Sequence, residues 1–261
     1  MTALELLKQS KLQEALETLQ LDIKRNPADV QLRLGLFQLL AVSGRWERAL
    51  AQLQTAVSFD ADLVPWAVML RSLAELEQVR AAMFKGDRTP SVLGPKPDWL
   101  SKMHPSIQCE QGENAFKAEA DFEEAMDMAP ARTGKVNGKP FAWIADADSR
   151  LGPVMEGYLS GNYYWIPMET LKQVVVTSPT QVLDLIWLQA EFTLARGEVL
   201  AGYIPTRYPE SERSTDGQVV MARTAVWTTL GKRLQIGSGV RVLSTDCDDI
   251  PITKIQKIEF N

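Results

Sequence analysis

One internal repeat constrains this chain more than any other feature of it. At a shift of 34 residues, SKLQEALETLQLDIKRN (10–26) lies over GRWERALAQLQTAVSFD (44–60). Ala15 then falls on Ala49, Leu16 on Leu50, Leu19 on Leu53 and Ile23 on Val57. Thirty-four is the tetratricopeptide period, a helix–turn–helix unit that buries its apolar face only by stacking on its neighbours. Within each copy the apolar residues recur at three- and four-residue steps, which predicts amphipathic helices. Asn26-Pro27 and Asp60-Ala61 sit where one unit turns into the next. Proline suits a first helical position, because its missing N–H would have no intrahelical partner there.

Beyond residue 62 the repeat decays. Residues 63–85 predict one more helix or a bent pair, and GDRTPSVLGPKP (86–97) predicts a break. Residues 113–129 predict a last amphipathic helix with Phe122, Met126 and Ala129 on one face. Its Glu119, Asp121, Glu123, Glu124 and Asp127 lack the alternating spacing and central glycine of a calcium loop, so they read as a solvated face. ARTGKVNGKP (131–140) reads as a turn between two halves. Its glycines do not meet the phosphate-loop spacing, and proline follows the lysine where Ser or Thr is required.

The second half has the rhythm of strands. PVMEGYLSGNYYWIPM (153–168) predicts a hairpin turning at Ser160-Gly161-Asn162. Further strands are expected at 173–177, 186–194 and 199–205, with a turn at Arg196-Gly197-Glu198. A helix is expected around 218–231, and a closing hairpin over 239–260. There the three-residue spacing of Ile252, Ile255 and Ile258 calls for a bulge or a short helical turn. The expected class is α+β. A tetratricopeptide-like helical domain (1–130) precedes a mostly antiparallel β domain (131–261), a small barrel or rolled sheet.

Composition narrows the function. A chain of 261 residues buries roughly three quarters of its unfolded surface and needs no disulfide or metal to hold a core. The net charge of −5, without a Lys/Arg block, argues against nucleic-acid partners. No apolar run approaches the ~20 residues of a membrane span, and the first residues lack the pattern of a secretory signal. With two distant cysteines, Cys109 and Cys247, the expected compartment is the cytoplasm.

Catalytic parts are scarce. The one histidine, His104, has no nucleophile motif beside it, and zinc would need more His or Cys than the chain holds. No cofactor is expected. The carboxylates of FAWIADADSRLGP (141–153) are the remaining candidates. Asp146 and Asp148 share a face if the segment is a strand, and they repel unless paired or metal-bound. The preferred reading is a turn in which they bond backbone N–H groups and pair with Arg150 or a nearby arginine such as Arg207. The alternative is a two-carboxylate hydrolytic site. Asp246, Asp248 and Asp249 surround Cys247 at an expected hairpin tip. Aromatic residues crowd the second half, among them Tyr163, Tyr164 and Trp227. Most of these rings belong in a core, and some can line a groove. Trp143, Asp146, Asp148, Trp165, Trp187, Tyr203, Arg207 and Tyr208 are the candidate partner-binding residues.

With these stretches laid out, the second half resembles the ImpE family, also called TagJ-type accessory proteins of the bacterial type VI secretion system. The resemblance rests on residues 141–168, LDLIW (183–187), GYIPTRYPESE (202–212), RTAVW (223–227) and SGVRVLSTD…ITKIQKIEF (238–260). It departs at CDDIP (247–251), where a single acidic residue is expected. The resemblance implies a non-enzymatic adaptor that binds an amphipathic N-terminal helix of the small sheath subunit. It also implies a link to the AAA+ ATPase that disassembles contracted sheaths. A carboxylate-dependent hydrolase and a general tetratricopeptide module clamping peptide C-termini, with Arg33 and Arg71 as contributors, stay open beside it.

Overall fold

The computed structural model describes residues 1–107 and 114–261. Cys109 and the side chain of His104 lie outside what is described. The helices are α1 (Ala3–Lys8), α2 (Leu12–Arg25), α3 (Val30–Val42), α4 (Trp46–Phe59), α5 (Val64–Phe84), α6 (Asp98–Ile107) and α7 (Asn114–Met128). Ala15 and Ala49, the small residues of the repeat, are fully buried, as close helix approach requires. Asp29 caps α3 by accepting from Leu32 N, and Thr2 with Glu5 forms a capping box on α1. Residues 61–63 form one 3₁₀ turn, after which Pro65 sits in the first turn of α5. One expectation needs correcting here. Glu119 on α7 is buried, not solvated, whereas Glu123 and Glu124 are exposed.

Strand structure begins at Gly134. An antiparallel sheet contains β1 (Gly134–Val136), β2 (Lys139–Phe141), β4 (Val154–Leu159), β5 (Asn162–Pro167), β6 (Leu171–Val176), β7 (Trp187–Leu194), β8 (Val199–Pro205) and β13 (Lys257–Phe260). Their order is β2-β1-β13-β6-β7-β8-β4-β5, so the two end strands stay apart and the sheet is open. A second sheet joins β12 (Asp249–Pro251), β11 (Val242–Thr245) and β3 (Ile144–Asp146), and a two-stranded one joins β9 (Ala225–Leu230) to β10 (Leu234–Gly239). The expected hairpin at Ser160-Gly161 has both residues at positive φ, the type I′ geometry whose twist suits adjoining strands. Asn137-Gly138 has the same geometry, which makes 134–141 a hairpin where a plain connecting turn was expected. The 3₁₀ turn at 252–254 accounts for the isoleucine spacing and buries Ile252, Ile255 and Ile258.

The helix expected over 218–231 is not formed. Only α8 (Gly217–Val220) is helical, started by Asp216 accepting from Gln218 N and ended by Ala222 at φ 52°. Beyond it, Val226, Trp227, Thr228 and Thr229 are stiff or bulky at Cβ and fit a pleated strand better than a helix. They form β9, in register with β10.

Two apolar clusters fill the molecule. One joins α1–α7 to Leu151, Val154, Tyr158, Tyr163, Trp165, Ile186, Trp187 and Tyr208 of the β half. The other joins the opposite face of the main sheet (Met155, Leu159, Ile166, Phe192, Ile204) to Leu243, Val240 and Ile252. Strand β4 lies between them and is buried along both faces. The Gly/Pro-rich break does structural work as well: Trp165 N donates to Ser91 O (2.8 Å) and Leu93 N to Trp165 O (3.0 Å), covering the edge of β5.

Candidate functional site

The stretch 141–153 lies where the helices meet the sheets. Ile144–Asp146 is β3, and the chain then reverses through a tight turn. Asp148 N donates to Asp146 Oδ1 (2.9 Å), Arg150 N to Asp148 Oδ1 (2.9 Å), and Asp146 N to Gly152 O (2.6 Å). Each carboxylate has its own arginine. Arg150 Nη2 is 2.5 Å from Asp148 Oδ2, and Arg241 Nη2 is 2.6 Å from Asp146 Oδ2. Gly237 N also donates to Asp148 Oδ2 (2.9 Å), and Tyr208 OH to Asp146 Oδ1 (2.9 Å). With those donors in place, neither carboxylate keeps a free oxygen on which to activate water.

The pairing continues away from the turn. Arg241 Nη1 lies 3.2 Å from Glu156 Oε2, near enough for charge pairing although off the hydrogen-bond line. Glu156 in turn accepts from Arg80 Nε (2.6 Å) and Nη2 (3.0 Å), and from Tyr163 OH (2.5 Å). Arg80 Nη1 reaches Glu77 Oε2 at 3.7 Å, and Glu77 Oε1 accepts from Tyr158 OH (2.5 Å) and Trp187 Nε1 (2.9 Å). Positive and negative groups thus alternate from Glu77 through Arg80, Glu156 and Arg241 to Asp146. Phe84 lies against both Arg80 and Arg150, whose guanidinium carbons are 5.5 Å and 5.1 Å from its ring centre.

Burial acts on these groups unequally. It pushes the Asp146 carboxyl up to about 6, only partly opposed by Arg241, and neighbouring Asp148 adds to the rise. Burial alone would raise Glu156 as well, but Arg80 and Arg241 outweigh it and hold that carboxyl below its ordinary value. Burial also raises the Tyr158, Tyr163 and Tyr208 hydroxyls, with nearby carboxylates adding to it, so they stay protonated donors. It lowers Arg207, which faces Glu212 only at 3.9 Å.

The candidate residues fall into distinct places. Asp146, Asp148, Trp165, Trp187, Arg207 and Tyr208 are buried, Tyr203 is half-buried, and Trp143 is exposed. Trp165 Nε1 donates to Tyr163 OH (2.9 Å), Trp187 stacks on Trp46 with ring centres 5.6 Å apart, and Tyr203 OH contacts Met69 Sδ (3.1 Å). Arg207 does not pair with the aspartates as expected. Its Nη1 donates to Val42 O (2.7 Å) and Val220 O (2.6 Å), tying the end of α3 to α8, while Arg241 takes the place beside Asp146. Sequence reasoning passed over Glu77, Arg80, Glu156 and Arg241. A signal existed for one of them: Glu156 stands alone in VMEGYL, and a carboxylate inside an apolar strand has to meet a cation. Among the described residues, no three His, Cys, Asp or Glu are grouped to hold a metal ion.

Comparison with known proteins gives the setting. The ImpE protein model matches residues 138–259, and a tetratricopeptide repeat model matches residues 6–72. The type VI secretion system accessory component TagJ of Pseudomonas aeruginosa is 35% identical over 260 residues, covering 100% of this chain and 91% of that protein. The crystal structure of a protein from Vibrio parahaemolyticus superposes with a TM-score of 0.89, covering 99% of this chain and 97% of that one. At 24% identity it speaks for the fold alone. A match that runs end to end through both the repeats and the β half leaves no part of the chain to another origin, and this protein belongs to the ImpE family.

Proposed function

We propose that this protein is a non-enzymatic accessory component of the type VI secretion system. In this reading it works in the cytoplasm, binds an amphipathic N-terminal helix of the small sheath subunit, and links the sheath to its AAA+ disassembly ATPase. The observation that carries the reading is the 35% identity, along the whole chain, to a protein named as such a component. Two further features support it. The tetratricopeptide half is an architecture built for holding other chains. The Asp146 and Asp148 oxygens are saturated by Arg241, Tyr208, Arg150 and backbone N–H groups, which speaks for scaffold and against hydrolysis.

The peptide-clamp alternative draws little support from its two arginines. Arg33 is engaged by Pro27 O (2.9 Å) and Gln52 Oε1 (2.9 Å), and Arg71 by Gln54 Oε1 (3.4 Å). No helix among the described residues is long and apolar enough to cross a membrane. Of the candidate contact residues, Trp143 is the one whose side chain stands open to a partner. Calorimetric titration of the purified protein with the small sheath subunit, and separately with the ATPase, tests the proposal. Binding of the sheath subunit at micromolar concentration is expected. No heat at high micromolar concentration would defeat it.

A further inference from the structure

An open sheet ends in strands whose outer N–H and C=O groups will pair with any other strand that reaches them. Most edges of this molecule are blocked. Strand β2 has three residues, and one of them, Pro140, has no N–H to offer. Segment 91–93 covers β5. Strand β12 is as short as β2 and carries Asp249 and Pro251. Strand β9 has none of these devices. Its six residues, AVWTTL, include no charge and no proline. Val226, Trp227, Thr228 and Thr229 are all exposed, Val226 by 47% and Trp227 by 40%.

Strand β10 fixes which groups this edge presents. Gln235 N donates to Ser149 Oγ (3.0 Å), Gly237 N to Asp148 Oδ2 (2.9 Å) and Gly239 N to Ser211 Oγ (2.8 Å), so these residues turn away from β9. In an antiparallel pair, residues directly opposite either both bond across the ladder or both face out of it. Thr229, Trp227 and Ala225 are the residues opposite, and they therefore point their N–H and C=O groups out of the free side of β9. Among the described residues, no group bonds the Trp227 or Thr229 main chain on that side. The far side of β10 is taken up by the 148–149 turn and Ser211, which leaves β9 as the open edge of this two-stranded sheet.

We infer that β9 is the seam between two copies of this chain, paired antiparallel about a two-fold axis at Trp227. The chemistry of the edge calls for a strand, because an extended backbone supplies donors and acceptors at this spacing. The strand can serve as its own partner, because its outward groups lie symmetrically about Trp227. Ala225 then faces Thr229 of the second copy, Trp227 faces its counterpart, and each facing pair exchanges both main-chain bonds. Val226 comes opposite Thr228, so the side-chain pairs are aromatic and β-branched, the kinds that stabilise cross-strand contact. No charged residue lies between Thr224 and Leu230, and this register sets no like charges opposite each other. The Trp227 ring is held from within by Tyr208, edge-on with centres 5.5 Å apart. With β10 covered on its far side, the joined sheet closes at two copies.

The test is sedimentation velocity of the full-length protein over a range of micromolar concentrations, where a dimer in exchange with monomer is expected. Thr229→Pro removes an N–H that faces away from β10, and both copies lose it. Dimerisation should weaken about tenfold or more, while far-ultraviolet circular dichroism stays that of the parent. Val199→Lys, which alters an exposed valine on β8, should leave dimerisation unchanged. Amide exchange of the parent reads the same edge without a substitution: Trp227 and Thr229 should exchange fast in the dilute monomer and slowly in the dimer. A parent that stays monomeric at high micromolar concentration overturns the inference. So does a folded Thr229→Pro that dimerises as well as the parent, because the copies then meet elsewhere. Slow exchange at both amides in the monomer, or slowing only when the small sheath subunit is added, overturns it too. In that last case the edge serves another chain.

Discussion

A carboxylate in the middle of a strand buried on both faces is tolerable only where cations meet it, and Glu156 is met by Arg80 and Arg241. Removing one member of such a group leaves its partners charged, buried and unpaired, which typically costs several kcal/mol. Glu156→Gln should therefore lower the unfolding free energy at pH 7 by about 3 kcal/mol in urea denaturation. A loss within error would mean that water or a rearranged side chain already serves the arginines. Asp146 makes a prediction of opposite sign in pH. Its folded value of about 6 stands above the ordinary 3.8, so the folded protein binds the proton more readily. Its contribution is present in full below about 4 and is lost as pH rises through 6. Glu156, held low, contributes above its ordinary value and loses that contribution as pH falls further. The stability difference between the parent and Asp146→Asn should thus change between pH 4 and 6 and be flat above 7. A difference that is flat throughout would refute the assigned shift. The sequence discloses the local half of this chemistry, because Asp148 and Arg150 are two residues apart. Arg241 lies 95 positions from Asp146, and nothing local names it as the partner.

Elements of the two halves are also fastened at helix ends. The last carbonyls of a helix lack intrahelical donors and carry the negative end of its dipole, so a guanidinium there is doubly favoured. Arg207 supplies one to Val42 O at the end of α3. Arg223 supplies another to α1, donating to Leu7 O (2.7 Å) and Lys8 O (2.7 Å) from more than 200 positions away. Helix α1 has six residues, too few to be stable alone. Arg223→Ala should therefore release it before the rest of the fold loosens. The expected signal is faster amide exchange over residues 3–8 with about 1 kcal/mol lost overall. Unchanged exchange there would show that Leu6 and Leu7 hold α1 by burial alone. The same scale explains which elements were legible. The repeat helices and the hairpin at Ser160-Gly161 announce themselves by period and turn chemistry. The 218–231 segment misleads because Gly217–Val220 makes one genuine helical turn, and the apolar residues run on from it into a strand. The Asn137-Gly138 hairpin was readable from its dipeptide, but strands of three residues gave too little alternation to register.

For the whole molecule, the question is whether helices and sheets can part. Their shared cluster places Trp165, Trp187, Tyr158 and Tyr208 against Phe84, Trp46 and the leucines of α3. Arg80 of α5 is fully paired only when Glu156 of β4 is present. A cut near residue 130 would thus expose a large apolar surface on the helical side and strip the countercharge from a buried arginine. Within residues 1–130 Arg80 keeps Glu77 as an ion-pair partner, at 3.7 Å. Unfolding should consequently be a single cooperative transition, because no state with one half folded keeps both the cluster and the charges satisfied. Far-ultraviolet circular dichroism reports mainly the helices. Tryptophan fluorescence reports the junction through Trp46, Trp165 and Trp187. The two curves should coincide in midpoint, and a fragment of residues 1–130 should lose most of its helical signal. Separate midpoints, or a stable helical fragment, would mean that the repeats carry enough core of their own.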